Sequence, residues 1–334
     1  MTDVGDAINE VARETDFAGA VRVDRGGDIE FVGGFGLADR TNGMLNRADT
    51  MFGIASGTKG FTALAVVRLM QDGAITLDTT ARSVLGSDLP LIDDRVTVEH
   101  LLSHTSGIGD YCDEESERPI DEPLSVSPAS LLTTEGYLKV LDGHATKFAP
   151  GTRFSYCNGG YVVLALIAER ASRTDFAQLV EEFVTKPAGM NDTAFLRSDA
   201  LPHRAAHGYL APAPSLQTNV FVLPARGSGD GGLYTTVADM CAFWSSFAAG
   251  RIVPDEWMRE MTRPRHVYGK ARTRYGLGFW LHPNREVFVL EGYDAGVSFR
   301  SAHEPATHTT YTVVSNDTDG AWPIARRVEA FLFP

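Results

Sequence analysis

The segment Ala55-Ser56-Gly57-Thr58-Lys59-Gly60 is the first stretch of the chain whose residue types and spacing suggest chemistry. A serine hydroxyl is a poor nucleophile until a base takes its proton. Positions i and i+3 share one face of a helix, so Lys59 reaches the Ser56 oxygen if a helix begins here. A lysine taken out of water loses part of its preference for the charged form and becomes a usable base. The free N–H groups and positive dipole end of a helix N-terminus favour an oxyanion beside the serine. The chemistry this supports is acyl transfer through Ser56. A plainer arrangement uses the same residues, with Ser56 as a helix N-cap and Lys59 as a solvated first-turn side chain. Two details favour the chemistry. Lysine is disfavoured near the positive end of a helix, and small residues flank the serine, as a tight strand-to-helix entrance requires.

Those residues need elements to position them. Phe61, Leu64, Ala65, Leu69 and Met70 recur at helical spacing, and Gly73 is a good C-cap, so a helix is expected from near Ser56 to Gly73. Residues 19–23 and 29–32 flank Arg25-Gly26-Gly27-Asp28 and read as a hairpin. From about residue 74 to 210 the chain reads mostly helical with irregular loops. Residues 161–171 are apolar nearly all round, so that helix should be buried. Residues 275–280, 287–290, 297–300 and 311–314 read as consecutive antiparallel strands. A terminal helix over 322–333 puts Ala325, Val328, Phe331 and Leu332 on one stripe. Strands at both ends and helices between them predict an α/β (α+β) fold with an antiparallel sheet built from both termini and flanked by helices. Residues 1–73 and 211–334 would form the sheet domain, 74–210 a mainly helical insertion, and the catalytic cleft would lie between them.

Bulk properties narrow the function classes. The chain has 334 residues, is 43% hydrophobic and carries a net charge of −13, enough apolar content for a large core and the wrong sign for nucleic acid or anionic membranes. The three cysteines, Cys112, Cys157 and Cys241, stand far apart, with no zinc-like spacing and no disulfide framework. No apolar run is long enough to span a bilayer. The acidic, polar start has neither the positive region nor the apolar region of a secretory signal, so a cytoplasmic location is expected. No metal or organic cofactor is implied.

Three further segments matter: Leu101-Leu102-Ser103-His104-Thr105-Ser106-Gly107-Ile108-Gly109, the run from Phe148 through Tyr156-Cys157-Asn158 to Tyr161, and Gly231-Gly232-Leu233-Tyr234-Thr235-Thr236-Val237-Ala238-Asp239-Met240. Alone they have ordinary explanations. Tyr156 could be an interface aromatic, and Asn158 a favoured N-cap for the apolar helix that follows. With Ser56-Gly57-Thr58-Lys59, however, they closely resemble the serine beta-lactamase and penicillin-binding-protein superfamily. The match is best to its class C branch, which also holds D-aminopeptidases and family VIII carboxylesterases, and S-x-x-K is a signature of the superfamily. The resemblance runs from about residue 18 to 315 in the family's order and spacing. It implies a beta-lactamase/transpeptidase-like fold and an acyl-enzyme on Ser56, with Lys59 as the base. Tyr156 would relay protons between Ser56 and the leaving group or activate the deacylating water. Asn158 would hydrogen-bond Lys59 and the substrate. Side chains two apart on an extended segment point the same way, and a phenol near an ammonium is expected to have a lowered pKa. His104 is expected to be structural, Asp239 an early helical residue, and Asp110 and Tyr111 weaker candidates for the cleft's border.

The third motif departs from the pattern. Where the family has Lys-Thr-Gly or His-x-Gly, this chain has Leu290-Glu291-Gly292, with Gly296 at the family's glycine spacing. Leucine cannot donate a hydrogen bond, and Glu291 would repel an anion if it faced the cleft. Arg300 is a possible replacement cation, though a solvated strand end explains it as well. The family's second oxyanion donor is a main-chain N–H just after the motif glycine, which corresponds to Tyr293, and any non-proline residue supplies one. Gly292 and Tyr293 are therefore expected to contact substrate through backbone. The expected function is an esterase-like serine hydrolase of a small ester or amide without an obligatory carboxylate. The alternatives are a beta-lactamase or D-amino-acid peptidase, and, in another class, a non-catalytic binding protein on the same scaffold.

Overall fold

The computed structural model describes residues 3–116, 118–269 and 272–333. Its centre is an eight-stranded antiparallel sheet built from both ends of the chain. In sequence order the strands are β1 (Gly19–Arg25), β2 (Asp28–Phe35), β3 (His266–Tyr268), β4 (Thr273–Tyr275), β5 (Trp280–Leu281), β6 (Phe288–Asp294), β7 (Val297–Glu304) and β8 (Thr309–Ser315). Their spatial order is β2-β1-β8-β7-β6-β5-β4-β3. The pairing of Gly19 with Ser315 through Asp24 with Thr310 joins the two termini. Mixed α/β architecture with an antiparallel sheet, as expected from strands at both ends, is what the chain adopts.

Both faces of the sheet are covered. One apolar cluster contains Leu290, Phe299 and Val314 together with the helices α2 (Thr58–Gln71), α4 (Asn158–Ser172) and α5 (Val237–Ala248). The other contains Val21, Val289 and Val313 with α1 (Val4–Glu14) and the C-terminal helix α6 (Ala321–Leu332). Strand alternation sorts them, because neighbours such as Val289 and Leu290 point to opposite faces. The helix α1 escapes a reading based on charge. Val4, Ile8 and Ala12 recur four apart on one buried stripe, and Asp3 caps the helix by accepting from the Gly5 N–H at 3.3 Å.

The helix beginning near Ser56 closes as expected. Ala74 N–H bonds to Leu69 O and Gly73 N–H to Met70 O, with Gly73 at φ +75°, the left-handed turn that glycine adopts without cost. The expected continuous strand over 275–280 does not form. β4 ends at Tyr275 and the chain turns a corner through Gly276 and Gly278 before β5. Gly276 lies so close to the backbone that a Cβ there would sit 2.1 Å from Met261 O, and Gly278 has φ +84°. Residues 275–279 are all buried, without the in-and-out alternation of a half-exposed strand. In the middle of the chain α4, of 15 residues, is enclosed on all sides from Asn158 to Ala168. The other α-helices described between residues 74 and 210 are short, among them α3 (Val98–Leu102).

Candidate active site

Ser56 sits in a short 3-10 turn, Ala55–Gly57, immediately before α2, rather than at an ordinary N-cap. Three contacts fix that turn. Residues Phe52 and Gly53 pair with Thr235 and Tyr234, and Ile54 N–H continues to Leu233 O at 3.0 Å. Gly292 of β6 presses from the other side, where a Cβ would lie 2.0 Å from Ile54 O and 3.0 Å from Gly57 N. Phe299 of β7 packs on Gly57, 2.6 Å from where a Cβ would stand. Ala55 has φ +42°, a strained conformation for a residue with a side chain, and it lies directly before the serine.

Lys59 is only 2% exposed. Its Nζ lies 2.8 Å from each of Ser56 Oγ, Asn158 Oδ1 and the main-chain oxygen of Asp230. Burial with three fixed acceptors rules out the solvated first-turn lysine. Asn158 is the first residue of α4 but not its cap. Cys157 is the N-cap, its Sγ accepting from Gly160 N–H, and the Asp110 carboxylate accepts from the N–H groups of Asn158 and Gly159 at 2.6 and 2.8 Å. That leaves the Asn158 amide free to take the Lys59 bond with its oxygen and to donate through Nδ2 to Cys112 O at 2.8 Å.

The Tyr156 ring lies between His104, centroids 4.3 Å apart, and Trp280, 5.9 Å apart and nearly parallel at 8°. Its hydroxyl lies near enough to Ser56 for the serine to lower its pKa, and Lys59 Nζ is 4.9 Å from the ring centroid. The expected lowering of the phenol's pKa is not found. Burial pushes it well above the ordinary value and the carboxylates of Glu114, Asp230 and Glu291 push the same way, against Ser56. Tyr156 is thus a neutral hydroxyl that can both donate and accept.

Asp230 was not singled out by sequence reasoning. Its carbonyl completes the Lys59 cage, and its carboxylate receives the Tyr111 hydroxyl at 2.5 Å. The loop that carries it is held by α2 itself: Thr62 Oγ1 donates to Gly229 O at 2.6 Å and Leu233 N–H donates to Thr58 Oγ1 at 3.1 Å. The only hint in the sequence is its position directly before the Gly231-Gly232 pair, because 171 residues separate it from Lys59. Asp239, by contrast, lies in α5 and accepts from Thr193 and from Asp192 N–H, a structural role as expected.

The third-motif strand is β6. Leu290 is 2% exposed and packs against α2, its Cδ2 lying 2.5 Å from where a Cβ on Gly60 would stand. Arg300 does not replace the missing cation. Its guanidinium is paired with Glu291 and Glu329 and donates to Tyr311 Oη at 3.0 Å, on the α6 face of the sheet. Tyr293 pairs with Ser298 one step from the Asp294–Val297 pair that closes the two-residue turn. In an antiparallel ladder bonded and non-bonded pairs alternate, so the Tyr293 N–H points away from β7.

A cavity of about 550 Å³ opens over these groups, lined by Ser56, Asn158, Tyr293 and the carboxyl-bearing Glu114, Asp230 and Asp294. Burial pushes Asp230 up, against Lys59 and the Tyr111 bond, and pushes Asp294 up to about 7, with Asp230 and Glu114 adding repulsion. Among the described residues no group of His, Cys, Asp and Glu could hold a metal ion, and no helix is long and apolar enough to cross a membrane.

The beta-lactamase family's sequence profile matches residues 6–330. The chain belongs to the beta-lactamase family. Within it, the chain is 31% identical to esterase EstB of Burkholderia gladioli over 82% of its own length and 78% of EstB. It is 28% identical to penicillin-binding protein 4* of Bacillus subtilis over 84% of its length, and that match spans 63% of the relative. The solved penicillin-binding protein of Bacillus halodurans superposes with a TM-score of 0.91 at 32% identity, covering 97% of this chain and all of that one. The family membership and the fold expected from the four motifs therefore hold.

Proposed function

We propose that the protein is a serine hydrolase that cleaves small esters or amides through an acyl-enzyme on Ser56. The observation that carries this is the cage around Lys59 Nζ. As an ammonium, Lys59 spends its three protons on Ser56, Asn158 and Asp230. As a neutral amine, it still donates to the Asn158 and Asp230 oxygens and turns its lone pair to the Ser56 hydroxyl, which is the state of a base. Ser56 Oγ then attacks the substrate carbonyl and its proton passes to Lys59. The oxyanion accepts from the N–H of Ser56, at the start of a helical turn, and from that of Tyr293. As the bond to the leaving group breaks, the Tyr156 hydroxyl gives that group a proton and is resupplied from Lys59. Water enters by the reverse relay, releases the acid and restores the serine.

The substrate's charge follows from what lines the cleft. Leu290 is turned into the core, Arg300 is neutralised by two glutamates, and Glu114 and Asp230 edge the cavity, whose one lining arginine among the described residues, Arg118, is paired with Glu122. A substrate carboxylate finds repulsion there, so the substrate is neutral or positively charged near the scissile bond. The same carboxylates favour a second reading, a peptidase or amidase of D-amino-acid derivatives with a free ammonium group. They weigh against a beta-lactamase, whose substrates carry a carboxylate. We also propose that residues 1–73 and 211–334 act as one unit against 74–210, with the cleft between them.

Intact-mass analysis after a fluorophosphonate should show one adduct, absent in Ser56→Ala. Turnover of p-nitrophenyl butyrate should exceed that of nitrocefin by about 100-fold or more in kcat/KM, about 3 kcal/mol of transition-state preference. No adduct would favour a binding protein, and efficient nitrocefin hydrolysis would overturn the charge argument.

A further inference from the structure

His104 does not touch the reacting atoms, yet the segment carrying Tyr156 hangs on it. Its main-chain oxygen accepts from Ser155 N–H at 2.9 Å, and its ring Nδ1 accepts from Cys157 N–H at 3.1 Å. The residues on either side of Tyr156 are thus bonded to one histidine. That histidine is wholly buried and has φ +57°, a left-handed conformation that a side chain disfavours, so the surrounding bonds must hold it there.

The bonds also fix the ring's proton. Because Nδ1 accepts from a peptide N–H, the hydrogen of the neutral ring is on Nε2, 3.1 Å from Tyr275 Oη. Tyr161 Oη donates to Leu102 O at 2.8 Å, so toward Tyr275, 3.2 Å away, it can only accept. Tyr275 therefore donates to Tyr161 and accepts from His104. Every hydrogen in the chain His104, Tyr275, Tyr161, Leu102 has one direction. A second proton on His104 would face the Cys157 N–H, donor against donor. The titratable groups that face the ring are Lys59, Tyr156, Tyr161, Tyr275 and His266. Burial, Lys59 and His266 all hold its pKa well below the ordinary histidine value.

We propose that His104, locked as the neutral Nε2–H tautomer between Cys157 N–H and the Tyr275–Tyr161–Leu102 chain, is the positioning residue that aims Tyr156 at Ser56. Its ring face at 4.3 Å and that of Trp280 at 5.9 Å leave the phenol one plane in which to lie. The inference rests on Tyr156 being the proton relay of the hydrolase proposed above.

The test uses the full chain, with active sites titrated by fluorophosphonate. His104→Phe keeps a ring and loses both polar contacts. Its kcat for p-nitrophenyl butyrate should fall about 10- to 100-fold, a share of what a positioned proton donor contributes, with KM within about twofold. A limb of the kcat pH profile should move by about half a unit, since loosening Tyr156 changes what Lys59 and Tyr156 feel. His104→Asn retains an acceptor for Cys157 N–H and should recover part of the loss. Tyr275→Phe, which removes only the far acceptor, should show a smaller loss in the same sense, and it decides the matter if His104→Phe does not fold. Long-range proton–nitrogen spectra of the wild type should show His104 neutral with its proton on Nε2 down to pH 5. Unchanged kcat per titrated site, unmoved pH limbs, or a His104 imidazolium at pH 6 would overturn the positioning role. A wild type that takes no adduct would instead sink the hydrolase reading, and this inference with it.

Discussion

Lys59 is buried with three oxygen partners, so its value to the molecule is double. Removing its nitrogen strands Asn158 Oδ1 and the Asp230 carbonyl as buried acceptors, each costing about 1–3 kcal/mol when unsatisfied. In the proposed mechanism it also leaves Ser56 without a base. Lys59→Met, close in length and apolar, is therefore expected to lower kcat by about 1,000-fold or more and to lower stability by about 2 kcal/mol. Steady-state kinetics and urea unfolding separate the two effects, and a variant that loses stability but keeps kcat would show that Lys59 is structural. At this scale the sequence is informative where spacing is local. Ser56 and Lys59 are three apart, and Tyr156 and Asn158 two apart, so each pair is legible before folding. Asp230 is not, because it contributes a main-chain oxygen that has no side-chain signature. The raised phenol of Tyr156 was hidden for a related reason. Its pKa is set by burial and by three carboxylates from three distant segments, and burial outweighs the one nearby cation.

Elements place these residues through close approaches that only glycine permits. Where β6 crosses α2, Gly60 and Leu290 share one volume, with 2.5 Å between a would-be Cβ and the leucine's Cδ2. Gly60→Ala should cost about 1–3 kcal/mol by overpacking, and Leu290→Ala about 2–5 kcal/mol by the cavity it leaves. Because each change relieves the other, the double variant should be more stable than the sum predicts by about 1 kcal/mol or more in urea unfolding. Strict additivity would contradict the packing. Leu290→Ala should also leave the preference for ester over nitrocefin unchanged, as befits a core residue rather than a cleft residue. The elements readable in advance are those with a single dominant period, such as α2 with its glycine stop, the strands β6 to β8, and the uniformly apolar α4. The corner at Gly276 and Gly278 was read as strand because its apolar residues are strand-like. What breaks the strand is the Met261 backbone, which no local pattern announces. Likewise α1 was masked by its acidic outer face, although its buried stripe has the right period.

Across the whole molecule, the net charge is −13, and three of its acids, Asp230, Asp294 and Glu114, line one cavity near the buried Lys59. The convergence of those acids from residues 114, 230 and 294 is a product of the fold, and it is not legible in the order of the chain. It has a consequence for stability. Asp294 is raised from 3.8 to about 7, chiefly by burial. The folded chain therefore holds a proton at Asp294 that the unfolded chain releases between about pH 4 and pH 7. With more protons on the native state, stability falls as pH rises through that window, and the full contribution is present only below it. Asp294→Asn removes the titration while keeping an oxygen for the Ala295 N–H, which Oδ1 accepts at 2.9 Å. The variant should match the parent's pH trend below pH 4 and become the more stable of the two as pH climbs to 8. Even one pH unit of the shift is worth about 1.4 kcal/mol. Thermal unfolding of both proteins from pH 4 to pH 8 reads this directly. A gap that stays constant, or that widens toward low pH, would mean that Asp294 is ionised in the folded cleft and that its charge is already paired.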